Sequence, residues 1–455
     1  MSNSVSGESP PLKKSSIVVY GAIGLPAAMF GYPIAIWLPV FYAKELGVSL
    51  AAVGTMIMLA RLSDTVTDPL IGFYSDRCRT RFGRRKPLML AGLPVLVLGV
   101  FMLFMPKQFG FESVGSFHLV IWISVMFLGA TLILIPYAAW GAELSPDYHE
   151  RTRITATREV FVLAGLLLSA IIPATVEYFS GGGVSDILAA MAWSIVILMP
   201  LLVILVVWRV KEPQLGEHRQ VPFIAGLKLV ARNGPMVRVL LIVLIVTTGE
   251  AFRNALSIFF MGEVIGIANS GVLFLYYFGA GLLAIPFWLW LGRQMGKHKA
   301  FALCMCAVSI ISITTYFLGK GDAGVFTALF IVKGACFGGL QFLPLSMLAD
   351  VVDVDTARTR GKRAGALFAI SGMTSKFATA FGTGVSLNIV AFVGFDPRIV
   401  STAGELQWLA FCYAIIPAVF FIAALGLVWN YPLTAKRQAR LRSLIKRRDA
   451  RLAKI

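Results

Sequence analysis

The chain has 455 residues, of which 58% are hydrophobic and only 14% are charged, and its formal net charge at pH 7 is +18. Its mean hydropathy is +0.79. The surface of a water-soluble protein of this size needs a larger fraction of charged residues. Lipid must therefore cover much of the molecule. The five cysteines show no metal-ligand spacing, so the sequence indicates neither a zinc site nor a disulfide framework.

Apolar runs long enough to cross a bilayer, about 20 residues each, recur along the chain. The first six are predicted at 17–43, 50–75, 87–105, 117–143, 157–179 and 187–208. The second six are predicted at 236–264, 269–291, 299–318, 324–349, 364–393 and 405–430. The sequence therefore predicts an all-α polytopic membrane protein with twelve transmembrane helices in two six-helix bundles, 17–208 and 236–431. A tail at 1–16, a polar linker at 209–235 and a basic tail at 432–455 flank the bundles.

The distribution of lysine and arginine orients these spans. Of the 41 basic residues, only four fall in the predicted loops of one side: Lys44, Lys107, Lys320 and Arg398. Four more lie inside spans: Arg61, Arg253, Lys333 and Lys376. The rest lie on the side of the two termini, which predicts cytoplasmic termini and a multi-pass protein of the plasma (inner) membrane. Contact with anionic lipid accounts for the positive charge, so we expect no nucleic-acid partner.

The two groups of spans carry matching charges at matching places. Basic loops follow the second and eighth spans, and an acidic residue ends the fourth and tenth spans before a pair of arginines. This correspondence indicates duplicated bundles that rock around a site at the membrane midplane. We expect the charged helix ends and loops to pair as a gate that closes the cytoplasmic side in the outward-facing state. The residues of this predicted gate are Asp76, Arg84, Arg85, Glu143, Arg293, Asp350 and Asp353.

Two carboxylates lie inside the second span. Asp64 and Asp68 are four positions apart, so on a helix they share one face at about 5–6 Å. Each costs about 2.5–3.5 kcal/mol to place in a membrane, and a cation between them, or a proton on one, would offset this cost. Together with the hydroxyl of Thr67, they offer the oxygen ligands that a hard metal cation such as Na⁺ prefers. Alternatively, one carboxylate only caps the helix end or pairs with Arg61.

Other charged residues in the spans have two possible roles each. Lys376, in the eleventh span, either faces the aspartate pair or extends to the membrane surface. Arg158, at the start of the fifth span, either anchors the helix at the interface or holds an anionic group in the cavity. Glu250 and Arg253 are three positions apart in the seventh span, and structural pairing between them is the favoured interpretation.

Several of these residues belong to motifs that, taken together, resemble one transporter family. They are Asp64-x-x-x-Asp68-Pro69-x-x-Gly72, the basic loop Arg81–Pro87, Pro136-Tyr137 leading to Arg151-x-Arg153, and Ala349-Asp350-x-x-Asp353. The combination resembles the glycoside–pentoside–hexuronide:cation symporters of the major facilitator superfamily, from about Tyr20 to Gly382. The resemblance implies the major facilitator fold and coupling to Na⁺, Li⁺ or H⁺, with no other cofactor.

The same resemblance implies roles for particular residues. The cation site maps to Asp64, Thr67, Asp68 and the fourth-span hydroxyl of Thr131. Lys376 falls where the family keeps an eleventh-span lysine, and Arg158 falls near its fifth-span arginine. We expect both to face the substrate, and we expect the carrier to act as a monomer.

The substrate side departs from the best-known member of the family, which transports a sugar. Ala28, Leu134 and Ala138 stand where that member carries two carboxylates and a stacking tryptophan. Apolar side chains leave little to hold a hydroxyl-rich sugar. A vertebrate branch that transports lysophosphatidylcholine with sodium is similar in keeping the coupling residues around an apolar cavity. We therefore expect an amphipathic substrate such as a lysophospholipid; the alternative is a glycoside:cation symporter.

Two other functional classes fit the sequence less well. A channel needs rings of polar residues on several spans, whereas the charges here are scattered. A membrane enzyme needs a nucleophile with its base, or a metal cluster. The four histidines lie in loops or at span ends and form no such cluster: His118, His149, His218 and His298. The sequence therefore favours a carrier that is not an enzyme.

Overall fold

The computed structural model describes residues 12–78, 80–111, 114–145, 147–212, 233–359, 364–429 and 431. Adjoining helical segments of one span are numbered together here, in chain order. The first six helices are α1 Lys14–Glu45, α2 Leu50–Arg77, α3 Lys86–Phe104, α4 Ser116–Glu143, α5 Tyr148–Ser180 and α6 Val184–Arg209. The remaining six are α7 Gly234–Ile265, α8 Gly271–Leu283 with Ile285–Met295, α9 Lys297–Tyr316, α10 Ala323–Thr359, α11 Ala364–Phe392 and α12 Ala403–Trp429.

These helices coincide with the predicted spans. Within the described residues, ten are long and apolar enough to cross a membrane, and the two parts of α8 make an eleventh if they count as one span. The helix that does not meet this measure is α11, because Lys376 and several Ser, Thr and Gly residues lower its hydropathy. The predicted all-α class is confirmed, and the least apolar helix is one that carries a candidate site residue.

Prolines bend two of the helices. In α1, a π-helical turn begins at Pro33 and a second one covers Phe41–Glu45, because proline removes a backbone donor and disrupts the regular helix. The two parts of α8 meet at 40°, beside Pro286 in the first turn of the second part. Helix α1 begins at Lys14, so the predicted tail at 1–16 ends earlier than expected. Most of the linker, 213–232, and the tail at 432–455 lie outside the described residues.

Helices α1–α6, the N-terminal half, meet helices α7–α12, the C-terminal half, along long seams. The most extensive contacts join α2 to α11 and α5 to α8. At the first seam Gly54 of α2 lies against Gly384 and Leu387 of α11. Small residues let two membrane helices approach closely, so this crossing holds the two halves together near one end of the molecule.

The contacts between the halves concentrate at the end that carries the α1–α2, α5–α6 and α7–α8 connections. Lys44 Nζ lies 3.2 Å from Glu263 Oε1, and the Gly271 N–H donates to Glu177 Oε2 at 2.8 Å. This end is the closed end. The opposite end carries the α2–α3 and α8–α9 loops and is the basic end; there, the ion pairs of Arg84, Arg85 and Lys297 join groups of the same half. The two halves are therefore in contact at the closed end.

Candidate functional site

Lys376 of α11 reaches across the seam to the two aspartates of α2. Its ammonium forms an ion pair with Asp68 and lies 3.8 Å from Asp64 Oδ2. The side chain of Asp64 is 4% exposed, that of Asp68 12% and that of Lys376 34%. The lysine thus faces the bundle interior and does not extend to the membrane surface, as expected for a charged residue in a span.

One hydroxyl contacts this cluster, and a second belongs to the same helix as the two aspartates. Thr131 of α4 is buried and donates to Asp68 Oδ1 at 3.0 Å. The hydroxyl of Thr67 is buried and has no hydrogen-bond partner within the described residues. Pro69, inside α2, has no N–H, so the carbonyl of Thr65 lacks its usual helical donor. Carboxylate and hydroxyl oxygens converge here, and this donor set fits a small hard cation or a proton.

Arg61 does not neutralise the aspartates directly. Its guanidinium carbon lies 4.1 Å from the centre of the Phe127 ring, which is a cation–π arrangement. Within the described residues it makes no ion pair with Asp64 or Asp68. The alternative in which an aspartate forms an ion pair with Arg61 is therefore not seen in the structure. Lys376 forms ion pairs with the aspartates instead.

Arg158 stands apart from the cluster. Its Nη2 lies 2.8 Å from Glu159 Oε1, and both side chains are partly exposed. Its helix packs tightly on α1, where the backbone of Arg158 contacts Gly21 and Gly24. The structure therefore does not bring Arg158 into contact with Lys376, and its guanidinium has one carboxylate partner on its own helix.

The positions with apolar substitutions lie on α1 and α4. Ala28 and Leu134 are partly buried and Ala138 is exposed. Leu134 follows Thr131 by three residues, so the two share a face of α4. Apolar side chains therefore adjoin the cation cluster on α4, and they bring no hydrogen-bonding group to it.

At the basic end, the predicted gate residues of the N-terminal half form one network. Arg85 Nη1 lies 2.6 Å from Asp76 Oδ1, and Arg85 Nη2 lies 2.8 Å from Glu143 Oε1. Arg84 Nη2 reaches the second oxygen of Glu143 at 3.1 Å. Arg85 is almost fully buried, so the loop between α2 and α3 is fastened to the ends of α2 and α4.

The C-terminal half has an equivalent pair. Lys297, at the start of α9, lies 2.7 Å from Asp350 Oδ1 of α10, as Arg85 joins the start of α3 to α4. Arg293 is exposed in the last turn of α8. Asp353 lies in α10, but its side chain is outside the described residues. The pairs form within each half while the closed end is shut, so they do not require the basic end to close.

Two acidic residues that the sequence analysis did not single out hold backbone N–H groups. Glu212, just after α6, accepts from the N–H groups of Arg84 at 2.9 Å and Arg85 at 3.0 Å. Glu177 of α5 accepts from Gly271 at the start of α8. Their partners are backbone groups far away in sequence, so no motif or spacing marks them.

A second buried charge cluster lies in the C-terminal half. Arg253 Nη2 lies 2.7 Å from Glu250 Oε2 and donates to the Tyr277 hydroxyl at 3.1 Å, so the favoured pairing is present. Lys333 of α10 is also buried and donates to Ser312 Oγ at 3.0 Å. In the sequence this lysine is one of four basic residues inside the spans, and no motif there indicates a role for it.

Comparisons with known proteins agree with this architecture. The family described as MFS/sugar transport protein matches residues 19–435. The isoprimeverose transporter of Lactiplantibacillus pentosus is 25% identical over 87% of this chain and 84% of its own. The sodium-dependent lysophosphatidylcholine symporter 1-B of Danio rerio is 24% identical over 96% and 91%. The crystal structure of the D-xylose-proton symporter superposes with a TM-score of 0.65 at 15% identity, over 93% of this chain and 97% of that one.

The many apolar helices define a multi-pass integral membrane protein, and the family match places it among transporters. The chain belongs to the MFS/sugar transport protein family. The resemblance to the cation symporters of the major facilitator superfamily is thereby confirmed.

Proposed function

We propose that this protein is a symporter that couples the movement of Na⁺ or H⁺ to substrate transport by alternating access. The observation that carries the proposal is the contact of Lys376 with Asp68, with Asp64 and Thr131 beside it. An ammonium held by carboxylates within the spans occupies the place that a transported cation would take. The cation is therefore a second substrate, and no further cofactor takes part.

Charge compensation explains how the site would couple the two movements. Without a cation, Lys376 neutralises one carboxylate and lowers the cost of moving the α2 charges through the membrane. A bound Na⁺ would replace the ammonium on Asp68, and Lys376 would turn toward the cavity, where its side chain is already one-third exposed. Binding of cation and substrate would thereby become linked, because each changes the charge that the other meets.

The orientation of the protein follows from the positive-inside distribution. We propose that the basic end and both termini face the cytoplasm and that the protein lies in the plasma (inner) membrane. The structure, shut at the closed end, would then be an inward-facing state. We also propose that it acts as a monomeric carrier and catalyses no covalent reaction.

We propose an amphipathic substrate such as a lysophospholipid. The proposal rests on Ala28, Leu134 and Ala138, where apolar residues replace sugar-binding groups. A wholly apolar crevice between α5, α8 and α10, lined in part by Leu163, Phe278 and Phe337, has a volume of only about 20 Å³, so an acyl chain would have to widen it. An acyl chain gains about 0.8 kcal/mol per buried methylene, but the bilayer offers the same gain. The head group must therefore provide the discrimination, and Arg158 offers a planar fork suited to phosphate or carboxylate.

A sugar or glycoside is the second candidate substrate. It is supported by the relative from Lactiplantibacillus pentosus, whose name specifies isoprimeverose, and by the family description. The name of the Danio rerio relative supports the lysolipid equally. The apolar residues on α1 and α4 are the observation on this chain that favours the amphipathic substrate.

Uptake by purified protein in liposomes tests both candidates. We expect an inward Na⁺ or H⁺ gradient to drive uptake of a labelled lysophospholipid, and Arg158→Ala to weaken it. The matched control is Arg209→Ala, which removes an exposed arginine in the last turn of α6. Gradient-driven uptake of a simple glycoside, with no lysolipid transport, would replace the first candidate by the second. Uptake that is independent of any cation gradient would refute coupling.

A further inference from the structure

The α2–α3 loop meets the end of α6 at the basic end of the N-terminal half. Glu212 accepts from the backbone N–H groups of Arg84 at 2.9 Å and Arg85 at 3.0 Å. Lys86 Nζ donates to the carbonyl of Val207, in the last turn of α6, at 2.8 Å. These contacts place the loop beside the residues that follow Val207. Together they form one surface, named here the basic patch: Arg81, Phe82, Lys86, Trp208, Arg209, Lys211 and Glu212.

The basic patch carries an excess of positive charge, because it contains four basic side chains and one carboxylate. Glu212 Oε1 accepts from the loop backbone, and its buried Oε2 lies against Gly83. Arg81, Arg209 and Lys211 are exposed, and none of them forms an ion pair within the described residues. Glu212 therefore offsets one of the four positive charges, and the patch as a whole attracts an anion.

Neighbouring carboxylates do not cancel this excess. Asp76 and Glu143 lie at the ends of α2 and α4, and both form ion pairs with Arg85. Arg84 lies 3.1 Å from the second oxygen of Glu143. Two carboxylates and two guanidinium groups balance one another there, so this group leaves the net charge of the basic patch unchanged.

The apolar face of α6 that leads to the basic patch is turned toward lipid. Its side chains recur every three or four residues and are 51–76% exposed: Trp193, Ile197, Leu201, Ile204 and Trp208. This spacing places them on one face of the helix. Tryptophan is enriched where the apolar core of a membrane meets the head groups, so Trp208 places the basic patch at the level of the head groups. Phe82, on the loop, adds a second exposed aromatic ring there.

We propose that the basic patch binds the phosphate head group of an anionic phospholipid, such as phosphatidylglycerol, in the leaflet at the basic end. The guanidinium groups of Arg81 and Arg209 suit phosphate oxygens, and Lys86 and Lys211 add positive charge. The acyl chains would lie along the exposed face of α6.

Two features select this occupant. The apolar face of α6 favours a lipid over free phosphate, and the net positive charge favours an anionic head group over a zwitterionic one. The bound lipid would hold the α2–α3 loop to the end of α6. It stays in the membrane and is not the transported substrate, so uptake does not depend on it and the inference is independent of the proposed function.

Thermal unfolding of the purified full-length protein tests this proposal. The protein is delipidated in a neutral detergent, and Tm is measured as phosphatidylglycerol or phosphatidylcholine is added at constant ionic strength. We expect a saturable rise in Tm with phosphatidylglycerol and a smaller rise with phosphatidylcholine. The double variant Arg81→Gln, Arg209→Gln should lose most of the difference between the two lipids. The matched control is Arg153→Gln with Lys299→Gln, which removes two exposed basic residues elsewhere at the basic end and should keep the difference.

Native mass spectrometry gives a second readout that does not depend on stability. Phosphatidylglycerol should stay bound to the wild type and to the control, and bound lipid should be several-fold lower in the double variant. An equal loss in the control would make lipid binding a property of the whole basic end and overturn the site. Equal Tm values with both lipids, or an unchanged lipid dependence in the double variant, would also overturn it. The same rise in Tm with sodium phosphate would show a site for a free anion instead of a lipid.

Discussion

The charges of Asp64, Asp68 and Lys376 add to one negative charge in the arrangement observed. One bound monovalent cation would make the group neutral, so the balance depends on both carboxylates being ionised. Asp68 holds Lys376 and Thr131 directly, whereas Asp64 is more deeply buried and lies 3.8 Å from the ammonium. The two carboxylates are therefore not equivalent, and their loss has different structural consequences.

We expect Asp64→Asn and Asp68→Asn each to abolish cation-driven accumulation while the protein remains folded. Either substitution leaves one carboxylate balanced by Lys376, so a cation gains little by binding. Uptake in liposomes is measured beside size-exclusion profiles, with Asp322→Asn as the control because the asparagine oxygen can still accept from the Gly319 N–H. Accumulation at the wild-type level in both mutants would place the coupling site elsewhere.

Lys376→Met should impair transport more than equilibrium substrate binding. Without the ammonium, the cation-free carrier must reorient with two unneutralised carboxylates instead of one; the second costs about 2.5–3.5 kcal/mol and slows transport by at least about tenfold. The measurements are the rate of uptake and the affinity for substrate in detergent, with Lys299→Met, an exposed lysine, as the control. A normal rate would remove the lysine from the mechanism.

At this scale, the aspartate pair was one of two alternatives that the sequence left open for Lys376, and the need of a charge in a span for compensation favoured it. It also predicted the Glu250–Arg253 pair from a spacing of three residues. The contact of Thr131 with Asp68 was implied by the family resemblance alone, since a threonine in an apolar span carries no signal of its own. The position of Lys333 beside Ser312 depends on how α9 packs on α10, and one sequence does not specify that packing.

Of the structural elements that form the predicted gate, the loop between α2 and α3 is held by the largest number of the ion pairs and hydrogen bonds described above. Arg85 ties it to α2 and α4, and Glu212 accepts two of its backbone N–H groups. Gly83, with a φ of 110°, faces the Glu212 carboxylate where a Cβ would collide with it. Glu212, which follows α6, therefore holds the α2–α3 loop in place. This contact joins the beginning of the polar linker to the predicted gate.

We expect Glu212→Ala to destabilise the protein by about 1–3 kcal/mol, because two backbone donors lose their acceptor at about 0.5–1.5 kcal/mol each. The lower Tm should be accompanied by faster proteolysis in the α2–α3 loop. Lys211→Ala changes the exposed neighbouring residue and serves as the control. Identical Tm and cleavage in the two variants would show that the carboxylate does not fix the loop.

The positions of the helices were largely predictable, because about twenty apolar residues are needed to cross a bilayer. The bends in α1 and α8 were signalled only by their prolines. The pairing of Arg85 with Glu143 and of Lys297 with Asp350 agrees with the predicted repeat, since both join equivalent helices of the two halves. Their formation within each half was not foreseen, and the proposed role as a gate between halves remains a prediction.

For the whole molecule, the question is what holds the closed end shut. Of the described contacts that cross between the halves there, two involve carboxylates: the ion pair of Lys44 with Glu263 and the capping of α8 by Glu177. In a third, Arg398 Nη1 donates to the carbonyl of Gly47 at 3.1 Å. The first is exposed and contributes only about 0–1 kcal/mol. Glu177 is buried and places a carboxylate at the start of α8, where the helix dipole and the terminal N–H groups favour an anion. It is therefore the stronger of the two contacts.

We expect Glu177→Ala to shift the protein toward opening at the closed end. Hydrogen exchange, followed by mass spectrometry on the full chain, should become faster at the first turn of α8, and also in the α1–α2 and α11–α12 connections, because separation of the halves exposes all three. Asp186→Ala is the matched control: Asp186 caps α6 within its own half, so its loss should affect only the start of α6. Faster exchange confined to Gly271 and its neighbours in Glu177→Ala would make the carboxylate a local helix cap. In that case, the close packing of α2 on α11 at Gly54 and Gly384 would remain as the contact that keeps this end shut.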